Sequence, residues 1–562
     1  MDISGLLHSQ IGYDIREDKR ALIRSTNPNY VAEGTVFIIQ NIITSEYLMQ
    51  GYVKKWGAAW KSTWWEIDFS EIETEGEYQI VIVNEGSELQ RSGSFKVGKN
   101  LLWNETAVPV ALDQLEERAR LARNGMGWKD CGSHWREANS HATMVIGLCD
   151  MLNLGFEWLD KKDVDRLIKQ IIVGCDYLAV CQDKARRMKY PVGAIIHEIP
   201  NHLSIIVGDT AQGVVSFAKA SRLIADVMPE KSEEYINRAV IAFEYMIHKA
   251  KPHDNNGFDR WNHGAPEDFV LPKDMMTRDL MMTLWGGVEL WIAGRPEYQE
   301  DAARLAREIM ARQVPEEKKE GEYYGHFYTF KNCDFTEKAS AHFHFGHDTG
   351  ATFPHYMMPF FEMAGRWYDH PDMALWRKAI SNFGYGYFLP ACKKNPFYLI
   401  PQGYYKNEGL LSFCGPFHGI NTTIGYASVL ATKLETFTGD PEFRKIAVGN
   451  MQWIAGLNAG ITQESFRGTK VWKEDIAPGK AEPYSQIVGI GKKHVGSWTK
   501  IKGTIPNGFN VNPQFKLAVK PSADADGPWM YTDEDWIPHA AGWISALTYL
   551  RDKWRYDDQV SE

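Results

Sequence analysis

The sequence predicts a mainly α-helical protein: a six-hairpin (α/α)6 barrel preceded by a small all-β sandwich. Three observations lead there. Twelve helix-like segments succeed one another from about residue 100 to the C-terminus of the 562-residue chain. Their connections alternate short and long. The first hundred residues carry a different period, close to two, which is that of strands.

In residues 1–98, apolar and polar side chains alternate in short runs, as in Ala21-Leu22-Ile23, Thr35-Val36-Phe37-Ile38-Ile39, Tyr78-Gln79-Ile80-Val81-Ile82-Val83 and Gly93-Ser94-Phe95-Lys96-Val97. Gly, Asn and Glu-Gly turns separate them, so this part reads as a sandwich. After Gly98-Lys99-Asn100 the period becomes helical, and residues 99–562 form the second domain. Helices are expected over 102–124, 139–156, 163–182, 210–227, 232–250, 276–293, 297–313, 351–366, 371–388, 420–438, 441–457 and 536–552. The clearest stripe is Val164, Leu167, Ile168, Ile171, Ile172, Cys175 and Leu178. Four short connections share one signal: Pro229, Pro296, Pro371 and Pro441 each precede an acidic residue, a combination suited to the first turn of a helix. Because every helix reverses the chain, the long connections 125–138, 183–209, 251–275, 314–350, 389–419 and 458–535 all fall at one end, which is the expected functional face.

A net charge of -10, with no Lys/Arg-rich run, argues against a nucleic-acid surface. No stretch reads as a membrane span or a leader, and seven cysteines without a C-x-x-C pair read as reduced thiols. A soluble, cytoplasmic protein is expected. No phosphate-binding glycine loop, dinucleotide fingerprint or serine-hydrolase elbow occurs in a fitting context, so no cofactor is expected.

The first long connection contains Trp128-Lys129-Asp130-Cys131-Gly132-Ser133-His134, and the last contains Tyr531-Thr532-Asp533-Glu534-Asp535-Trp536. Carboxylates on two sides of a cleft suit inverting glycoside hydrolysis, in which one acid protonates the leaving oxygen and the other activates water. The plainer reading of Thr532-x-x-Asp535 is a capping box.

These motifs resemble those of the family 9 glycoside hydrolases, endoglucanases with an N-terminal immunoglobulin-like domain and a six-hairpin catalytic barrel. His8-Ser9-Gln10-Ile11-Gly12-Tyr13 resembles the N-Q-V-G-Y opening of the accessory domain. Trp128 to His134 resembles the W-x-D-A-G-D-[HY] loop, and Met451 to Asn458 resembles D-Y-I-L-G-x-N. The resemblance covers nearly the whole chain. It implies Glu534 as general acid and Asp130 as the aspartate that helps hold the nucleophilic water. Ser133 stands where the family keeps its base, which leaves Asp130 as the best remaining candidate for that role. Glu137 and His134 lie within a few residues of it. Where the family has a Pro-His-His-Arg-like substrate contact, this chain offers His494 and Arg467.

The long connections are rich in aromatic and amide groups, which suit an oligosaccharide cleft. Expected substrate contacts are Trp128, Ser133, His134, Trp261, His342, His344, Tyr404 and His494. His342, His344 and His347, with Asp348, have a spacing compatible with a transition metal. Nothing fixes a fourth ligand, and we expect sugar contacts there rather than a metal. The leading function is an inverting hydrolase of β-linked, gluco-type oligosaccharides, exo- or oligosaccharide-acting. The alternatives are a catalytically silent carbohydrate-binding protein and an inverting phosphorylase-like enzyme.

Overall fold

The computed structural model describes residues 4–60, 62–131, 135–252, 273–319, 321–328, 331, 357–401, 403–405, 409–411, 421–459, 483–508 and 534–554. Ten strands occupy the N-terminal part: β1 Ser4–Leu7, β2 Tyr13–Asp14, β3 Arg20–Ser25, β4 Val36–Asn41, β5 Tyr47–Tyr52, β6 Lys54–Ala59, β7 Ser62–Asp68, β8 Gly76–Asn84, β9 Ser87–Arg91 and β10 Phe95–Gly98. They form two sheets, ordered β1-β3-β7-β6 and β2-β10-β8-β4-β5, with β9 paired to β8. Ala21, Ile23, Trp65 and Ile67 from the first sheet meet Tyr13, Phe37, Ile80, Ile82 and Phe95 from the second in one apolar core. These are alternate residues of each strand, as period-two patterning requires.

From Leu101 onward the chain is helical. The helices are α1 Leu101–Val108, α2 Gln114–Leu121, α3 Ala138–Gly155, α4 Lys161–Arg187, α5 Val207–Ile224, α6 Pro229–His248, α7 Thr277–Ile292, α8 Gln299–Met310, α9 Met358–Arg366, α10 Met373–Phe383, α11 Leu389–Cys392, α12 Asn421–Thr438, α13 Glu442–Ala455 and α14 Ile537–Lys553. Helices α1 and α2 are joined by a π-helical turn, Pro109–Asp113, where a proline interrupts the expected segment. Pro229 begins α6 at its first turn, and Pro441 precedes α13 directly.

Helices α3, α5, α7, α9, α12 and α14 form the inner ring, with α14 packed between α12 and α3. Glycines allow the closest crossings. A Cβ on Gly147 would come within 3.0 Å of the Ala541 carbonyl oxygen, and one on Gly425 within 2.4 Å of Gly542. Phe361 against Phe437, edge to face at 5.9 Å, joins α9 to α12 and closes the ring. Each inner helix starts at the end that bears the long connections. The opposite end is filled by charge: Lys219 lies 2.9 Å from Asp150 and 3.5 Å from Glu289, and Lys433 lies 3.6 Å from Glu362.

The sandwich packs on the barrel flank through its first sheet. Trp60 stacks on Phe397 at 5.7 Å, Trp64 meets the same ring edge-on at 5.2 Å, and Arg20 covers the Tyr398 ring. The backbone amides of Gln10 and Ile11 both donate to the Ala455 carbonyl. Among the described residues, no helix is long and apolar enough to cross a membrane. The cysteines described, Cys131, Cys149, Cys175, Cys181 and Cys392, are free and buried.

Candidate active site

Two buried arginines assemble the mouth of the barrel. Arg118, on α2, donates to the carbonyls of Lys129 and Asp130 at 2.9 and 2.7 Å and to the carbonyl of Asp535 at 2.6 Å. It therefore holds the first long connection against the last, with Glu534 one residue away. Arg136 donates to the carbonyls of Met126 and Ile199, both at 3.0 Å, and joins the first connection to the second. That second connection folds into a short hairpin, with Ile196 paired to Ile205, which carries His197, Glu198, Asn201 and His202.

Glu534 is partly exposed, and its carboxylate is oriented by a relay. The Thr422 backbone N–H donates to Nδ1 of His539 at 3.0 Å, so that nitrogen carries no proton. Nε2–H of His539 then donates to Oδ1 of Asn507 at 2.6 Å, which turns the Asn507 amide nitrogen toward Glu534 Oε2 at 2.9 Å. The Asn507 backbone amide also donates to the Glu534 carbonyl at 2.7 Å. His539 and Asn507 are buried, so the relay is rigid. Sequence reasoning did not find either residue.

Asp130 is only 1% exposed. Its Oδ2 accepts from the Glu137 backbone N–H and the Ser140 hydroxyl, each at 3.0 Å, whereas buried Oδ1 has no hydrogen-bond partner among the described residues. Burial, reinforced by the nearby Glu137 carboxylate, raises its pKa well above the ordinary aspartate value. This placement thus leaves Asp130 buried and tied to the start of α3. It anchors the loop.

Trp128 is likewise placed in the core rather than in a cleft. It is fully buried, stacked on His141 at 5.1 Å, with its indole N–H donating to Gln170 at 2.9 Å. Gly127 before it has φ +66 and sits where a Cβ would lie 2.5 Å from His141 Nε2, so this position requires glycine. His494 is exposed on a turn facing the sandwich. The neighbouring Lys492 amide donates to the Gln10 carbonyl there, and Lys492 Nζ bonds Glu77 and Ser94. That places His494 on the domain junction and not among the groups around Glu534. Ser133, His134, Trp261, His342, His344 and His347 lie outside the described residues, as does the side chain of Tyr404.

Glu137 touches both connections, through its backbone N–H to Asp130 and its carboxylate to Trp536. Its Oε2 accepts from the Trp536 indole at 2.9 Å and from Ser140 at 3.2 Å, and Oε1 lies 3.5 Å from His197 Nε2. His197 Nδ1 is 2.7 Å from Asp209 Oδ2. Burial alone would depress the imidazole, but Asp209 and Glu137 raise its pKa to about 10, so it is a cation at neutral pH. Burial also raises Asp209 and Glu198. A hairpin signal existed for this region, since Ile195-Ile196 and Ile205-Ile206 flank a Pro-Asn turn. Among the described residues, no group of three His, Cys, Asp or Glu side chains could hold a metal ion.

No family model matches this chain, and no curated protein is similar to it in sequence. Solved structures are. A metagenome-derived glycoside hydrolase family 9 endoglucanase superposes with a TM-score of 0.64 at 15% identity, covering 97% of this chain and 98% of that one. The fold is similar to that of family 9 endoglucanases. A family 9 protein of Bacteroides ovatus gives 0.62 at 14% identity over 98% and 99% of the two chains. AaCel9A in complex with cellobiose-like isofagomine gives 0.61 at 13% identity over 97% and 99%. At such identities the likeness concerns the fold alone.

Proposed function

We propose that this chain is a glycoside hydrolase that cleaves short β-linked gluco-oligosaccharides from one end, with inversion, using Glu534 as general acid. The observation that carries this reading is the orientation of Glu534 by the Asn507–His539–Thr422 relay, on a loop clamped by Arg118 to the opposite side of the mouth. A general acid needs a fixed direction toward the leaving oxygen, and a relay of buried neutral donors supplies one. A fold neighbour that holds a cellobiose-like inhibitor supports an oligosaccharide as ligand. The two-sheet domain is read as immunoglobulin-like, a support on the barrel flank, and its stacked Trp60 and Phe397 favour that role. Free buried thiols fit a cytoplasmic setting.

The test is an NMR time course with β-linked gluco-, xylo- and glucosamine-oligosaccharides, each with and without phosphate. Initial release of α-configured sugar of a single size without phosphate is the expected result. Release only with phosphate would make the protein a phosphorylase, and sugar binding without turnover would make it a binding protein. In the Glu534→Gln variant, turnover should fall about 10³-fold while the melting temperature is kept. Unchanged turnover would remove Glu534 from the mechanism.

A further inference from the structure

We propose that Glu137 is the carboxylate that takes the proton from the attacking water, in place of the side chain missing at position 133. This rests on the hydrolase reading above. Two carboxyls of the first connection are close enough in the chain for the role, and their surroundings separate them. Asp130 is closed off from water, one oxygen holding the loop and the other enclosed. Glu137 keeps 19% of its side chain exposed.

The partners of Glu137 place it. The Trp536 indole donates to it at 2.9 Å, and Trp536 is two residues beyond Glu534. This bond ties the first connection to the last, so Glu137 lies on one of the joined connections and Glu534 on the other. The other groups around Glu137 are the Ser140 hydroxyl, the His197 imidazolium with Asp209 behind it, and the buried carboxyls of Asp130 and Glu198. The Trp536 indole fixes Oε2, the Ser140 hydroxyl is shared between Oε2 and Asp130, and the His197 charge lies beside Oε1. A carboxylate so held is oriented, paired with a cation and still in reach of water.

The step balances with the groups present. The water oxygen forms the new bond to the anomeric carbon as its proton passes to Glu137. The glycosidic carbon–oxygen bond breaks, and Glu534 gives its proton to the departing oxygen. Afterwards Glu137 releases a proton to solvent and Glu534 regains one. His197 and Asp209 act through Glu137 as positioning residues.

The experiment uses the full chain, cellotetraose, and 2,4-dinitrophenyl β-cellobioside. Glu137→Ala is expected to lower kcat about 10³-fold on both substrates. Azide should restore turnover of the dinitrophenyl substrate with formation of the α-glycosyl azide, because a small anion can attack without a base. Glu137→Gln, which preserves an acceptor for Trp536, should show the same loss with no rescue and an unchanged melting temperature. If Glu137→Ala fails to fold, Glu137→Gln alone decides. A loss below tenfold in a folded Glu137 variant, or azide rescue of Asp130→Ala in place of Glu137→Ala, would overturn the assignment with the hydrolase reading intact. Absence of wild-type turnover on the oligosaccharide panel would remove both.

Discussion

At the closed end of the barrel, Asp150, Glu289 and Glu362 face Lys219, Arg222 and Lys433, with one or two of these groups from each of α3, α5, α7, α9 and α12. Ser545 of α14 completes the set by donating to Asp150 at 2.9 Å. Burial opposes the Lys219 charge, yet Asp150 and Glu289 hold its pKa well above the ordinary lysine value. The open end carries Asp130, Glu137, Glu198, Asp209 and Glu534, with the His197 imidazolium beside Glu137 and Asp209 and the Arg118 and Arg136 guanidiniums on the loop carbonyls, and several of those carboxyls are displaced upward in pKa. One end neutralises its buried charge within the helices. The other places carboxyls of raised pKa on the connections where the helices begin, a pattern that makes this end the candidate site.

The contrast can be broken most directly at Lys219. Lys219→Ala strands two buried carboxylates, and the expected loss is about 3–5 kcal/mol of stability, read as a fall in the urea midpoint. A small shift would mean that the closed end is not held by this pairing. Next comes His197, whose folded pKa lies above its ordinary value. Its stabilising contribution is therefore complete below about pH 6.5 and fades as pH rises through about 10. The melting temperature of wild type should exceed that of His197→Gln most at pH 6 and least at pH 10. A constant gap would contradict the charged pairing with Asp209 and Glu137.

Asn507→Ala removes the donor that orients Glu534 and should lower kcat about tenfold with little change in KM, sparing substrates with activated leaving groups. Equal losses on both kinds of substrate would remove the relay from acid catalysis. The smallest effect is expected from Asp130→Asn. An amide resembles the protonated carboxyl and can keep one acceptor for Glu137 N–H and Ser140, so at about pH 3.5, before the raised pKa has cost the wild type anything, stability should change by less than about 1 kcal/mol. Because the folded pKa is raised, the Asp130 contribution is present below its ordinary value near pH 3.8 and declines as pH rises toward the folded value. The asparagine variant should lack that part of the pH dependence.

The barrel was legible because its signals are local. Pro229 and Pro441 mark helix starts within single turns, and the Leu167, Ile171, Cys175 and Leu178 stripe identifies the buried face of α4. The same helix runs on to Arg187 through Lys184 and Arg186, a polar turn with no apolar stripe to extend the reading. Glu534 was proposed from the residues that follow it. Glu137 was named in the sequence only as a neighbour able to contribute beside Asp130, since its partner Trp536 is 399 positions away. Asn507 and His539 belong to no local pattern, and only the folded chain sets them beside Glu534. Trp128 misled because a tryptophan in a loop motif suggests a sugar platform, whereas here its ring is filled in by His141 and Gln170.

Arg118 holds a carbonyl near the start of the barrel and another just before its last helix, and α14 fills the gap between α3 and α12. During synthesis on the ribosome the ring therefore stays open until α14 has emerged. Glu534 cannot meet the opposite loop before then, so the two sides of the mouth should come together abruptly, at the completion of α14, and not draw in gradually as the chain lengthens.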